Sequence, residues 1–247
     1  NRTIWKSSES CGPQLINISN MSQLLALFDL DGTLVDSAPD ISVALDSALT
    51  DSYLPVLGEH KVRSYIGEGS KRLVHRAITR KYEGVADKNL YDQVSKKFFD
   101  NYANNIFVKS KIYPKVKETL CELRNHKICL GCVTNKPYEF AISLLKATDL
   151  IKYFAIIIGG DSLPKKKPDP EPIIYAIKKL GTRKENTTMI GDSITDLTAA
   201  KNAGVQSICV SYGYSGDVDL STQNPDKIIN SMEELPKAIT SLSIESD

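Results

Sequence analysis

In Leu24-Leu25-Ala26-Leu27-Phe28-Asp29-Leu30-Asp31-Gly32-Thr33-Leu34-Val35-Asp36-Ser37, an apolar run enters two carboxylates separated by one residue, and a Gly-Thr turn follows at once. The run reads as a buried strand, which puts both acids at its carboxyl end. Burying one carboxylate there is costly unless something pairs with it, and burying two costs more. A hard cation held by both, in a near-octahedral shell of oxygens, resolves the conflict and suggests Mg²⁺. An aspartate beside such a cation, with a second acid two residues on, also supplies a nucleophile and a proton-handling partner. Alone, the same residues also fit a strand end and turn that are merely acidic. The other strand ends separate the two readings.

Further candidate strands are Ile128–Val133, Phe154–Ile158, Thr187–Ile190, Ser207–Val210 and Lys227–Ile229, joining Leu24–Phe28. Amphipathic helices alternate with them, the pattern of a Rossmann-like parallel sheet with helices on both faces. Ile173, Ala176, Ile177 and Leu180 make one apolar helix face, with Lys178 and Lys179 in the last turn and Gly181 beyond. Ser231 and Glu234 make a capping box ahead of the final helix. Right-handed crossovers gather such strands into one twisted open sheet.

Residues 38–112 read differently. Pro39 opens a helix carrying Ile41, Ala44, Leu45, Ala48 and Leu49, and the stretches around Leu73 and Ala77 and from Leu90 to Phe99 stay helical without strand alternation. The expected organisation is an α/β core of residues 22–37 and 113–241 with an all-helical cap, residues 38–112, inserted after the first strand. Open α/β sheets bind ligands at the carboxyl ends of their strands, so an insert leaving from there is expected to form a lid. Residues 1–21 lack the apolar segment of a signal peptide and are expected to be a leader, disordered or of vector origin, ahead of a natural start at Met21.

At 247 residues the chain holds one full core plus a smaller lobe. Hydrophobic content of 41%, charged content of 25% and a net charge of +1 describe an ordinary globular protein without the basic stripe of a nucleic-acid binder. No apolar run reaches the roughly 18 residues of a membrane-spanning helix. Cys129 and Cys132 form a C-x-x-C, a spacing used in zinc and redox sites, but they lie inside an apolar strand pattern with no second pair at ligand spacing. With Cys11, Cys121 and Cys209, they read as cysteines of a reducing, cytoplasmic setting. His60, His75 and His126 are scattered, so histidine-based activation of a nucleophile has no support.

Three more strand ends carry matching chemistry. Thr134-Asn135-Lys136-Pro137 offers a hydroxyl, amides and a helix start, which suit an anion and equally suit a polar helix cap. In Lys165-Lys166-Lys167-Pro168-Asp169-Pro170, Lys167 is placed to reach inward and neutralise a phosphate, whereas a lysine trio is otherwise a solvated loop. Gly191-Asp192-Ser193-Ile194-Thr195-Asp196 brings two acids one turn apart, able to face one ion. Capping of the helix by Asp192 or Ser193, worth about 1 kcal/mol, explains one acid and leaves the other.

In this order, Asp29-Leu30-Asp31-Gly32-Thr33, Thr134-Asn135, Lys167-Pro168 and Gly191-Asp192-Ser193 with Asp196 resemble the four motifs of the haloacid dehalogenase (HAD) superfamily of phosphatases. The stretches 34–39, Tyr65-Ile66-Gly67-Glu68-Gly69, 133–137, Ile158-Gly159-Gly160-Asp161 and Ser211-Tyr212-Gly213-Tyr214 are similar to the phosphoglycolate phosphatases within it. The resemblance implies a Mg²⁺-dependent phosphomonoester hydrolase working through an aspartyl-phosphate. Asp29 is the implied nucleophile and Asp31 the acid and base. Thr134, Asn135 and Lys167 bind the phosphoryl group. Asp29, the backbone carbonyl of Asp31, and Asp192 hold Mg²⁺, while Asp196 orients water at the ion or pairs with Lys167. Dehalogenase chemistry is not implied, because the dehalogenases lack the second acid of D-x-D.

The implied substrate is 2-phosphoglycolate, released as glycolate and phosphate. Pyrophosphate, a nucleotide monophosphate or a sugar phosphate would use the same site, and nothing in the insert points to a phosphohexomutase. A phospho-accepting signalling domain also presents Asp, Mg²⁺, Thr and Lys at strand ends, but has no use for an insert of this length. Specificity is expected from the insert: backbone amides of the Gly67-Glu68-Gly69 turn, and Lys71 or Arg72 against a carboxylate, unless these two are a solvated helix face. The expected partner is a small phosphorylated metabolite, with no nucleic acid and no membrane, for a monomer or homodimer.

Overall fold

The computed structural model describes residues 23–215 and 218–244. Its strands are β1 (Leu25–Phe28), β2 (Val35–Asp36), β3 (Lys111–Ile112), β4 (Cys129–Val133), β5 (Ile156–Ile158), β6 (Thr187–Gly191), β7 (Gln206–Val210) and β8 (Lys227–Ile229). Its α-helices are α1 (Ala38–Thr50), α2 (Glu59–Arg63), α3 (Ser70–Thr79), α4 (Lys88–Asn104), α5 (Val116–Asn125), α6 (Tyr138–Ala147), α7 (Glu171–Leu180), α8 (Ile194–Ala203) and α9 (Leu235–Ile244).

Six strands form a parallel sheet in the order β5-β4-β1-β6-β7-β8. Successive residues of β1 alternate between two cores, as the strand period requires. Ala26 and Phe28 join the cluster under α5, α6 and α9, with Leu120, Leu145 and Ile239. Leu25 and Leu27 join the cluster under α7 and α8, with Ile173, Ala176 and Ala199. A strand buried on both faces explains why β1 is a continuous apolar run. All six expected strands are present, each end within two residues of its expected place. The chain leaves β1 toward β4 and β5 on one side and returns to β6 on the other, which puts Asp29 at the crevice where the order reverses.

Helices α1 to α4 pack around a cluster of their own that includes Ile41, Leu45, Leu49, Leu73, Phe98 and Tyr102. The stretch 38–112 is not helical throughout. Lys111 and Ile112 form β3, which pairs antiparallel with β2 in a two-stranded ribbon where the insert leaves and rejoins the sheet domain. Two residues per strand are too few to show alternation, so the ribbon has no signature in the sequence.

The C-x-x-C lies in β4 with both thiols buried and unpaired, and burial pushes Cys129 up to about 11. A thiol kept protonated is a poor ligand and nucleophile, so these cysteines serve packing. Among the described residues, no helix is long and apolar enough to cross a membrane. The expected leader, residues 1–21, with Cys11, lies outside the described residues.

Candidate active site

Asp29 is the first residue past β1, its backbone N–H donating to Ile190 O at 2.9 Å. This bond to the neighbouring strand end fixes the carboxylate at the head of the sheet. Lys167 reaches it from the loop before α7: its Nζ lies 3.0 Å from Asp29 Oδ1, 2.6 Å from Asp196 Oδ1 and 2.5 Å from Val133 O. Lys167 is only 2% exposed. Burial works to discharge its ammonium, but Asp196 and Asp29 outweigh that and raise its pKa above the ordinary lysine value.

Asp196 is held from both sides. Its Oδ1 takes Lys167, and its Oδ2 takes the Ser193 hydroxyl at 2.6 Å and backbone N–H at 3.1 Å, closing a capping box on α8. The cap expected of Asp192 or Ser193 is therefore supplied by Ser193. Asp192 stays free for the site, receiving Thr33 Oγ1 at 2.8 Å and the Tyr214 N–H at 2.7 Å. Gly32 has φ of +87°, and a Cβ there would stand 2.3 Å from Asp192 Oδ2. The turn after the paired acids thus needs glycine for both its backbone and its space.

The carboxylates of Asp29, Asp192 and Asp196 offer ligand atoms within 4.8 Å of one another, all three residues buried. Burial lifts Asp29 to about 6, against the pull of Lys167 and with the push of Asp196 and Asp31. Burial, Asp196 and Asp29 lift Asp192 to about 8. Asp29 Oδ1 forms an ion pair with Lys167, yet its angle leaves it without a hydrogen-bond donor. Crowded, buried, all-oxygen and partly unsatisfied, this donor set fits a hard divalent cation.

The Asp31 side chain points elsewhere. Its Oδ1 accepts from Ser37 Oγ at 2.5 Å, and Lys136 Nζ lies 3.0 Å from both of its oxygens. Of the expected metal set, the structure gathers Asp29 and Asp192, with Asp196, while the Asp31 carboxylate lies outside that cluster. Lys136 itself is 6% exposed and stacks over the Tyr102 ring of α4 at 4.8 Å. Burial would discharge it; Asp31 and Tyr102 hold it protonated.

Thr134 is buried at the end of β4, its hydroxyl accepting from the Lys136 N–H at 3.2 Å. Asn135 spends its side-chain N–H groups on Gly67 O at 3.0 Å and Lys167 O at 2.9 Å. It ties the insert's turn and the lysine loop to β4. Lys166 Nζ donates to Glu68 O at 2.6 Å, a second tie to the same turn. The resulting cleft lies between the sheet end and the insert. Asp29, Asp31, Thr134, Asn135 and Lys136 form its floor, and Ile41, Leu73, Phe98, Phe99 and Tyr102 line the insert side.

Two expectations for the insert resolve differently. Gly67 and Gly69 line the cleft. Lys71 is exposed, and Arg72 is committed to Tyr82 O at 2.7 Å, Gly84 O at 3.1 Å and Glu83. Neither basic residue is among those lining the cleft. Sequence reasoning passed over Lys136, whose signal was its place inside the Thr-Asn-Lys-Pro strand end. It also passed over Asp36, which receives Arg63 at 2.8 and 2.9 Å and the Tyr214 hydroxyl at 2.8 Å.

This chain is similar to known proteins. The haloacid dehalogenase-like hydrolase family matches residues 26–210. A phosphoglycolate phosphatase from Nitrosococcus oceani is 41% identical over 216 residues, covering 87% of this chain and 96% of that protein. One from Vibrio parahaemolyticus is 38% identical over 217 residues, covering 87% and 95%. The crystal structure of a predicted phosphoglycolate phosphatase from Haemophilus somnus superposes with a TM-score of 0.82 at 34% identity, covering 87% of this chain and 97% of that one. A family match over most of the chain, with relatives this similar along nearly their whole length, makes this chain a member of the haloacid dehalogenase-like hydrolase family.

Proposed function

We propose that the protein is a Mg²⁺-dependent phosphatase that converts 2-phosphoglycolate to glycolate and phosphate through an aspartyl-phosphate on Asp29. The observation that carries this reading is the division of labour between two nearby carboxylates. Asp29 sits against Lys167 inside an acidic cluster, while Asp31 faces the cleft beside Ser37 and Lys136. The phosphoglycolate phosphatases among the relatives support the substrate.

In this mechanism Asp29 attacks phosphorus in line and the ester oxygen departs. Asp31 gives that oxygen a proton, then takes one from the water that cleaves the aspartyl-phosphate. Lys167 offsets the repulsion between carboxylate and phosphate, and the Thr134 hydroxyl donates to a phosphoryl oxygen. Asn135 serves the phosphate by holding the Lys167 loop and the Gly67 turn in place. Asp29, the backbone carbonyl of Asp31, and Asp192 would hold Mg²⁺, which would supply positive charge to offset the phosphoryl group. The insert excludes water from the closed cleft.

Phosphate release from 2-phosphoglycolate, beside pyrophosphate, nucleotide monophosphates and sugar phosphates, each with Mg²⁺ and with EDTA, tests the reading. Mg²⁺-dependent preference for 2-phosphoglycolate is the expected result. Preference for another substrate would move the specificity and keep the chemistry. A long-lived phospho-aspartate without turnover would replace the enzyme with a signalling domain.

A further inference from the structure

We infer that Lys136 and Tyr102 form a subsite for an anionic group on the leaving side of the substrate, which selects a phosphorylated acid over a phosphorylated neutral alcohol. The inference rests on the phosphatase reading above and names the residues that give it specificity. The insert side of the cleft is mostly apolar, with Ile41, Ile66, Leu73, Phe98 and Phe99. Among the described residues that line it, Lys136 is the sole cation. The two arginines of α3 are spent elsewhere: Arg72 on Glu83 and the 82–84 loop, and Arg76 on Glu68, Tyr65 O and Tyr82 O.

An ammonium donates three hydrogen bonds. Two directions from Lys136 Nζ are taken by the Asp31 oxygens at 3.0 Å each, which places the ammonium next to the group that meets the departing oxygen. In 2-phosphoglycolate the carboxylate is one methylene from that oxygen, so it arrives beside Lys136. Tyr102 completes the subsite from the other wall. It is 2% exposed, and its hydroxyl sits beside the Lys136 ammonium with no acceptor in place for its own proton. A buried hydroxyl proton without an acceptor is costly, and a carboxylate oxygen satisfies it. Lys136 belongs to the sheet domain and Tyr102 to α4, so an anion held by both also draws the insert onto the sheet.

The test compares 2-phosphoglycolate with 2-hydroxyethyl phosphate, which replaces the carboxylate by a neutral hydroxymethyl group. The Mg²⁺-loaded full chain and its Lys136→Met and Tyr102→Phe variants are assayed on both. The wild type is expected to favour the acid. Lys136→Met should lower kcat/KM for the acid on the order of a hundredfold more than for the neutral ester. Tyr102→Phe, which keeps the ring and only removes an oxygen, should lower the ratio about tenfold, mostly through KM. Lys136→Arg should restore part of the preference. If Lys136→Met fails to fold, Tyr102→Phe carries the test alone. Parallel losses on both substrates, with the preference intact, would overturn this inference and leave the phosphatase reading standing. A wild type that hydrolyses neither ester would defeat the parent reading itself.

Discussion

Asp29 and Asp31 are separated by one residue, yet their surroundings give them different chemistry. Asp29 is enclosed with Lys167, Asp192 and Asp196, whereas Asp31 turns toward Ser37 and Lys136. Asp29→Asn is therefore expected to reduce phosphate release to background and to abolish any covalent phosphoenzyme seen by intact-mass measurement. Turnover surviving this change would remove Asp29 as the nucleophile. Asp31→Asn should cost roughly 10²–10⁴-fold in kcat. It should leave Mg²⁺ affinity in titration calorimetry nearly unchanged, because its carboxylate lies outside the acidic cluster. A large loss of Mg²⁺ affinity would contradict that division. The D-x-D spacing was readable from the chain; the partners that distinguish the two acids were not, because they arrive from other strand ends.

Asp40, in the first turn of α1, shows how one side chain joins two distant segments. Its carboxylate accepts the N–H groups of Val108 at 2.9 Å, Lys109 at 2.9 Å and Ser110 at 2.8 Å, and the Ser110 hydroxyl at 2.5 Å. Burial alone would raise its pKa, but the Ser110 hydroxyl and the three backbone donors together hold it below the usual value of 3.8. The unfolded chain thus binds more protons than the folded one in the acid range. Stability from Asp40 is complete above about pH 4 and is lost as pH falls through the lower folded value. Asp40→Asn should cost about 2 kcal/mol at neutral pH in urea melts. That deficit should shrink below about pH 4; a deficit constant across this range would refute the assignment. This clamp holds the return path into β3, so the ribbon missed in the sequence is stabilised by contacts nearly seventy positions apart, which no local pattern records. The five-residue α2 escaped notice for a related reason, being too short to display helical periodicity.

Insert and sheet domain meet through an aromatic contact, Phe140 of α6 stacked on Phe99 of α4 at 5.5 Å and packed beside Tyr102, and through a set of polar links. Arg63 forks onto Asp36, Tyr214 reaches the same carboxylate, and Asn135 and Lys166 hold the Gly67 turn. The Arg63 and Asp36 side chains are 31% and 25% exposed, so water screens their attraction. Arg63→Ala is expected to change stability by no more than about 1 kcal/mol. It should nevertheless raise KM several-fold by favouring an open cleft; unchanged steady-state kinetics would show that this link does not govern closure. Mg²⁺ should stabilise the whole molecule, by about 2.7 kcal/mol at a hundred times its Kd. Thermal melts of wild type and Asp192→Asn check this: the variant should lose the Mg²⁺-induced rise in Tm, and a rise of equal size would place the ion elsewhere.

Local pattern was enough to read the α/β class, the six sheet strands and the acids and lysine at the strand ends. Those features depend on short-range periodicity, turn residues and the cost of burying charge, all of which are written in consecutive residues. The tertiary structure alone decided which charges meet. Lys136 pairs with Asp31 across 105 positions, and Thr33 holds Asp192 across 159. It also decided that Asn135 ties loops together, that Arg72 is committed to the 82–84 loop, and that Tyr102 of α4 meets Lys136. Such pairings follow from strand order and from the docking of the insert, and burial then makes each one energetically consequential.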